Sequence, residues 1–319
     1  MNDPYEVAKK IQAEFKKTGF LDVEQELKFT EFLSRYEGSD KIVKSTDLTD
    51  KIKGLENETR YYTGIKKLDD ILDGFRGGQL IVVGAPPKSG KTNFCVELAR
   101  RIPNSTMFLF EESAEEVLYK YHAKGLPLPI FYTPADVIEY NVDSLYRKMI
   151  EAWAKFDSKV FFIDHLHFVV DTNGTQRLDL SIKDVMQELS RFKKMHGFTI
   201  FLVTHLSKGN FKEPVGVDAI RDSSFIAQYA DTVLMLWREV YESGASEHKN
   251  VINYTKNLLI NVALNRKINF VKDSNTGLCD LTFNTDTWQY DDSEWYTEWI
   301  QGDREEQQKE KSVISKIQE

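Results

Sequence analysis

The 319-residue sequence has only two cysteines, Cys95 and Cys279. They are too few and too far apart for a disulfide framework or a cysteine-based zinc module, and their apolar neighbours mark both as buried thiols. No apolar run approaches the roughly 18 residues that a membrane-spanning helix requires. The first residues, Met1 to Val7, lack the basic and then apolar pattern of a secretory signal, so the chain is expected to be cytoplasmic with no membrane partner. Positive charge is in deficit: 42 Lys and Arg face 50 Asp and Glu, a net charge of −8. The chain as a whole therefore does not advertise nucleic-acid binding, and any such site must be local. A channel around one strand needs only a few cationic or amide donors per subunit, so acidity weakens that idea without excluding it. What is present is 41% hydrophobic and 29% charged residues, the balance of a globular protein. The length allows one large α/β domain with a small appendage, or two modest domains.

Residues 1–58 are charged and helical in pattern. Asp3 as N-cap, Pro4 behind it and Gly19 past the end frame one helix, with Ala8, Ile11 and Phe15 on a shared face. A second helix is expected from Asp22 to Tyr36, its apolar residues Val23, Leu27, Phe32, Leu33 and Tyr36, closed by Gly38-Ser39-Asp40. Two such helices cannot enclose a core alone and need a covering surface on the main domain or a neighbouring subunit.

From Gly64 onward, short apolar runs alternate with amphipathic stretches. Gln79 to Gly84, Thr106 to Glu111, Lys159 to Asp164, Phe198 to Thr204 and Thr232 to Trp237 read as strands buried on both faces. Val142, Leu145, Met149, Trp153 and Phe156 step at helical spacing, as do Ile182, Val185, Leu189 and Phe192. This alternation specifies an α/β fold, a mostly parallel central sheet flanked by helices. A C-terminal β-hairpin follows, Leu259 to Val271 and Leu278 to Phe283, turned by Asp273 to Gly277. The expected divisions are a short helical or linker segment over 1–58, a main domain over 59–300 and a polar tail over 301–319.

Gly84-Ala85-Pro86-Pro87-Lys88-Ser89-Gly90-Lys91-Thr92 matches G-x-x-x-x-G-K-[ST] after a strand and before a helix beginning at Asn93. In such a loop, successive N–H groups curve around phosphates at a helix N-terminus, Lys91 reaches the β- and γ-phosphates and the Thr92 hydroxyl ligates Mg²⁺. ATP and Mg²⁺ are the implied ligands. A P-loop enzyme also needs a carboxylate for the metal shell and a group to orient water. Asp164, ending the strand Val160 to Ile163, is placed for the first role, and Glu111, ending the strand after the P-loop helix, for the second. Glu112 is adjacent and offers the same group. Ser113 and Glu116 form a capping box for the next helix.

These residues resemble the RecA-like core of DnaB-type replicative helicases, from about Thr63 to Tyr290. Thr63-Gly64-Ile65 through Leu68-Asp69 and Gly74 to Leu80 look like the opening segment shared by DnaB, RecA and KaiC-like proteins. Phe110-Glu111-Glu112-Ser113 is similar to the family's Ser-Leu-Glu-Met-Ser, and Phe162 to Leu166 to its Walker B. Asp218 to Asp231 is similar to the DnaB pattern Asp-Leu-Arg-Glu-Ser-Gly-x-Ile-Glu-Gln-x-Ala-Asp, which separates DnaB from its relatives. The resemblance implies a catalytic role for Glu111 and a γ-phosphate sensor at His205, which a core histidine would mimic. It makes Arg266 an arginine finger for the neighbour's nucleotide, against a plain solvated arginine. The lysine expected two residues before Arg266 is Leu264, so that contact is absent or comes from Lys267.

The resemblance further implies a DNA-gripping loop at Arg221, Asp222 and Ser224, with Lys212 in the loop Gly209 to Val217 adding to it. Such a loop holds phosphates and reads no base; Arg221 paired with Asp218 or Asp222 is the structural alternative. A hexamer moving 5′ to 3′ on single-stranded DNA is expected, with primase and loader as further partners. The family's large N-terminal domain is represented by only about 60 residues, a shortening found in some phage and mobile-element helicases. A RecA- or KaiC-like recombination or annealing protein, or a nucleotide-switched loader that does not unwind, are the alternatives. His165 and His167, alternating beside Asp164, read as strand packing and hydrogen bonding rather than a metal pair, with no Cys or third carboxylate at ligand spacing. Trp288, Tyr290, Trp295, Tyr296 and Trp299 read as packing on the sheet edge or a neighbouring subunit, with base stacking or partner docking as the other possibility.

Overall fold

The computed structural model describes residues 23–35, 41–49, 58–136, 141–166, 178–206, 213–214, 216–220, 223–243, 251–266 and 277–296, with Lys9, Ala13, Lys17 and Glu37. The chain divides into two compact units, Met1–Glu58 and Thr59–Glu319. In the first, helix α1 (Val23–Ser34) is laced by ion pairs one turn apart, Lys28 with Glu24 at 2.6 Å and Arg35 with Glu31 at 3.0 Å. The expected helix from Asp3 to Gly19 lies outside the described residues except for Lys9, Ala13 and Lys17, each helical.

In the second unit, β1 (Arg60–Tyr61) pairs antiparallel with β2 (Phe75–Arg76) around α2 (Lys66–Leu72). The Asp69 carboxylate fixes the start of α2, accepting from the Thr63 and Gly64 N–H groups at 2.9 and 2.8 Å. Then follow β3 (Leu80–Ala85), α3 (Lys91–Arg101), β4 (Thr106–Leu109), α4 (Ala114–His122), α5 (Val142–Phe156), β5 (Val160–Asp164), α6 (Leu178–His196) and β6 (Thr199–His205). A 3₁₀ turn at Val217–Ala219 leads to α7 (Ser223–Tyr229), β7 (Thr232–Ser243), β8 (Val251–Asn265), β9 (Leu278–Asn284) and β10 (Gln289–Asp292).

The main sheet runs β10-β9-β8-β7-β3-β6-β5-β4. The five strands from β7 to β4 are mutually parallel, and β8, β9 and β10 extend the sheet antiparallel. Alternation along β3 divides the core. Ile81, Val83 and Ala85 face a layer with Phe94, Cys95 and Leu98 of α3. Leu80 and Val82 face the opposite layer with Ile182, Met186, Leu189 and Phe192 of α6. Helices on both faces explain why β3 to β6 read as unbroken apolar runs. Both cysteines are buried free thiols, as their surroundings implied.

The antiparallel half departs from the sequence reading. β7 continues six residues past Trp237 to Ser243, and its partner β8 begins at Val251 rather than Leu259. These extensions pair with each other, from Val240–Tyr254 to Ser243–Val251. Their sequences, Arg238 to Ser243 and Val251 to Asn257, mix polar and apolar residues and carry no continuous apolar run. β8 stops at Asn265; the expected continuation to Val271 and the turn from Asp273 to Thr276 lie outside the described residues.

Candidate nucleotide site

Ligand crevices in open α/β sheets form at the carboxyl ends of the parallel strands. Here those ends meet in a row. β3 pairs with β6 up to Ala85 opposite His205, β6 lies beside β5, and β4 pairs with β5 up to Leu109 opposite Asp164. The loop from β3 to α3 therefore opens next to His205, with Asp164 and the residues after β4 beyond it.

Two glycines shape that loop. A Cβ on Gly84 would meet Met235 Sδ at 3.0 Å and Ile220 side-chain carbons at 3.2 Å, so β3 can lie this close to its neighbours only without a side chain. Gly90, the N-cap of α3, has φ +90, a conformation other residues rarely adopt. Pro86 C=O accepts from the Ser89 hydroxyl at 2.7 Å and from Lys91 Nζ at 3.2 Å, which folds the lysine back over the loop. The first helical bond runs from Phe94 N–H to Gly90 C=O, leaving the N–H groups of the preceding turn at the helix mouth as anion donors. α3 begins at Lys91, two residues earlier than the sequence pattern implied, because the apolar periodicity starts only at Phe94.

Thr92 Oγ1 donates to Asp164 Oδ2 at 2.5 Å, joining the first turn of α3 to the end of β5. Asp164 is 2% exposed, and its Oδ1 accepts no hydrogen bond among the described residues. Burial raises the Asp164 pKa; the Thr92 hydrogen bond opposes this and the Glu111 charge adds to it. Burial likewise lowers the Lys91 pKa, against the pull of Asp164 and Glu111. Both charges are thus held where water solvates them poorly, and a polyanion with a divalent cation supplies the complement to each. A hydroxyl beside a buried carboxylate oxygen with no donor is the all-oxygen pair that suits Mg²⁺, so the residues present fit that ion.

Glu111 does not end a strand: β4 stops at Leu109, where Phe110 N–H donates to Asp164 C=O at 2.8 Å, and Glu111 lies on the turn beyond. Its half-exposed carboxylate faces two imidazoles, with Oε2 3.3 Å from His165 Nδ1 and 3.7 Å from His205 Nε2. The two rings meet edge to face at 4.2 Å. Glu112 is engaged elsewhere, ion-paired with Lys120 of α4, whose N-terminus carries the capping box of Ser113 and Glu116. His165 lies just past β5 rather than within the strand, and it is buried against the His205 ring and the Glu111 carboxylate from the turn after β4. Linear spacing carries no signal for that meeting. His167 is outside the described residues.

The remaining expected residues are dispersed. Arg266 sits at the opposite edge of the sheet from the P-loop, where its N–H donates to Asp231 C=O at 2.8 Å and Nη1 donates to Gln228 C=O at 3.0 Å. Ser224 lies in the first turn of α7; Arg221, Asp222, Lys212 and Lys267 are outside the described residues. Leu264 is part-buried in β8 against the α6 layer. Of the aromatic residues, Trp299 is outside the described residues and the other four pack in two places. Trp288 meets Tyr121 at 4.9 Å and Tyr290 is buried against Phe94 and Phe283, while Trp295 lies beside Trp237 and Tyr296. Sequence reasoning missed Tyr254, whose hydroxyl donates to the P-loop carbonyl of Pro87 at 3.2 Å from the unforeseen part of β8.

The parallel core with its phosphate loop at the carboxyl edge defines a RecA-like P-loop fold. The model of the "DnaB-like helicase C terminal domain" matches residues 61–129 and 123–292, and the chain belongs to that family. Among curated relatives, "Replicative DNA helicase DnaB" of Helicobacter pylori (strain ATCC 700392 / 26695) is 24% identical over 234 residues, covering 62% of this chain and 48% of the relative. "Replicative DNA helicase DnaC" of Bacillus subtilis (strain 168) is 24% identical over 247 residues, covering 64% and 53%. The chain thus spans about half the length of the curated relatives it matches. Among solved structures, one described as an "ATPase Domain" aligns with a TM-score of 0.61 at 16% identity, covering 78% of this chain and 96% of that one. "The Structure Of A DnaB-Like Replicative Helicase And Its Interactions With Primase" aligns with a TM-score of 0.60 at 15% identity, covering 90% and 75%. No helix among the described residues is long and apolar enough to cross a membrane.

Proposed function

We propose that this chain is the motor of an ATP-dependent DNA helicase acting in replication, a ring of identical subunits that advances 5′ to 3′ along single-stranded DNA in the cytoplasm. The observation that carries the reading is the junction of P-loop and Walker B carboxylate, Thr92 Oγ1 on Asp164 Oδ2, with Glu111 two residues beyond β4. Family membership supplies the substrate class.

The loop N–H groups at the mouth of α3 and the Lys91 ammonium bind the triphosphate. Thr92 and Asp164 would hold Mg²⁺, which neutralises charge on the phosphate oxygens when bound. Glu111 accepts a proton from water as its oxygen attacks the γ-phosphorus; the bond to the ADP oxygen breaks and ADP leaves with that electron pair. His205, at the end of β6 between P-loop and Walker B strand, senses the γ-phosphate and relays its loss through the Glu111 carboxylate it faces. Arg266, remote from its own subunit's loop, serves a neighbour's nucleotide. The segment of Arg221, Asp222 and Ser224, with Lys212, grips the DNA backbone. The polar run 301–319 forms a tail, and primase and loader are further partners.

The test is unwinding of forked duplexes that carry a 5′ or a 3′ loading tail, with Lys91→Ala as control. Opening from the 5′ tail alone, lost in Lys91→Ala, is expected. Arg266→Ala should retain ATP binding and lose hydrolysis. DNA-independent turnover with neither fork opened, and no rings visible by electron microscopy with ATP and single-stranded DNA, would overturn the reading.

A further inference from the structure

The geometry points to a second metal site: Glu111, His165 and His205 bind one borderline transition-metal ion of the Zn²⁺ class, and the ion so bound arrests hydrolysis by taking the Glu111 carboxylate. The three side chains come from the turn after β4, from just past β5 and from the last residue of β6, and their ligand atoms all lie within 4.8 Å of one another. Around a tetrahedral Zn²⁺ with bonds near 2.0–2.2 Å, ligand atoms are about 3.4 Å apart. The observed 3.3 Å from His165 Nδ1 to Glu111 Oε2 and 3.7 Å from His205 Nε2 to the same oxygen bracket that spacing. The two imidazole nitrogens lie within 4.8 Å of each other, so they need to swing together by no more than about 1.4 Å to complete the set.

The donor chemistry separates this site from the neighbouring one. Thr92 and Asp164 offer oxygen alone and suit Mg²⁺, whereas two imidazoles and one carboxylate suit Zn²⁺, Co²⁺ or Ni²⁺. Mg²⁺ in excess therefore competes poorly for the histidine pair. Three protein ligands leave the fourth position to water, and the half-exposed Glu111 gives the ion a way in. His205 ends β6, which pairs with β5, and His165 follows β5 directly and is buried, so both imidazoles are carried by adjoining strands of the core, the rigid support a specific metal site requires. A carboxylate bound to the ion cannot accept a proton from water, and this inhibitory part rests on the role proposed above for Glu111.

The test uses the full chain, freed of metal and kept in excess Mg²⁺, titrated with Co²⁺ and then with Zn²⁺. One equivalent of Co²⁺ should bind with the intense visible bands of four-coordination, and Zn²⁺ should displace it one for one. His165→Asn and His205→Gln should each weaken binding by more than the roughly 10- to 100-fold lost when only an outer partner of a metal ligand is removed. Equal affinity in both variants, or no binding by the wild type above Mg²⁺ competition, overturns the site. Should the buried His165 prove necessary for folding, the more exposed His205→Gln carries the comparison, with circular dichroism as the control for its fold. Wild type preloaded with one equivalent of Zn²⁺ should cease ATP turnover and recover on chelation. Turnover that persists while displacement of Co²⁺ shows the site filled overturns the inhibitory part and counts against Glu111 as the base, without touching the metal site.

Discussion

The Thr92 hydroxyl and the Asp164 carboxylate, 2.5 Å apart, join the P-loop helix to the Walker B strand through the one carboxylate oxygen of Asp164 that is hydrogen-bonded among the described residues. This bond is the chief influence opposing the upward pKa shift that burial imposes on Asp164. Thr92→Val keeps the shape and removes the donor. It should destabilise the nucleotide-free protein by about 1–3 kcal/mol, the cost of leaving a buried acceptor unmet, and lower the melting temperature, while Thr92→Ser stays near wild type. Mg²⁺-dependent ATP turnover should fall in the valine variant and survive in the serine one; equal melting temperatures in all three proteins would show that the bond carries no stability.

Gly84 is fixed by what surrounds it rather than by its φ. A methyl group there would press on Met235 Sδ at 3.0 Å and on Ile220 at 3.2 Å. Gly84→Ala should cost about 1–3 kcal/mol in overpacking, and Ile220→Val in the same chain should recover part of it. Urea denaturation of the single and double variants checks this, and an unchanged midpoint for Gly84→Ala would mean that the neighbours yield freely.

Asp231 anchors the opposite end of β7. Its Oδ2 accepts from Leu80 N–H at 2.7 Å and forms an ion pair with Lys193, a lysine buried in α6. Asp231→Ala leaves that ammonium buried without its partner and should destabilise by about 3–5 kcal/mol. Asp231→Ala with Lys193→Met, which removes both charges, should lose less, and a double variant as unstable as the single one would contradict the account.

Tyr121 links stability to alkaline pH. Burial raises its phenol from 10.0 to about 12, and its ring lies 4.9 Å from Trp288. A raised folded-state value favours the neutral form, so this contribution is complete below the unfolded pKa of 10.0 and is lost as the pH climbs through about 12. Tyr121→Phe keeps the ring and removes the titration, so stability should fall less steeply over that interval. Melting curves across the window check it, and parallel profiles for the two proteins would remove Tyr121 as a source of the alkaline loss.

Much of the site was readable along the chain because its parts are contiguous. The P-loop needs its glycines and its Lys-Thr pair in one short run, and the capping box of Ser113 and Glu116 needs only one helical turn. Strands covered by helices on both faces need consecutive apolar residues, which is why β3, β5 and β6 were found with nearly correct ends. β8 was legible only where it enters the core, since its outer half mixes polar and apolar residues and pairing with β7 by backbone bonds leaves little mark on side-chain choice.

The amino-acid sequence by itself determined the α/β class, the phosphate loop and the likeness to DnaB-type motors, because each rests on local patterning or a compact motif. Only the tertiary structure decided that Glu111 faces His165 and His205 while Glu112 turns to Lys120, and that Arg266 lies at the sheet edge away from its own P-loop. It also brought Tyr254 to Pro87. These meetings depend on the order and register of strands far apart in the chain. That order is set by burying both faces of one sheet at once, a global condition that no short stretch of residues records.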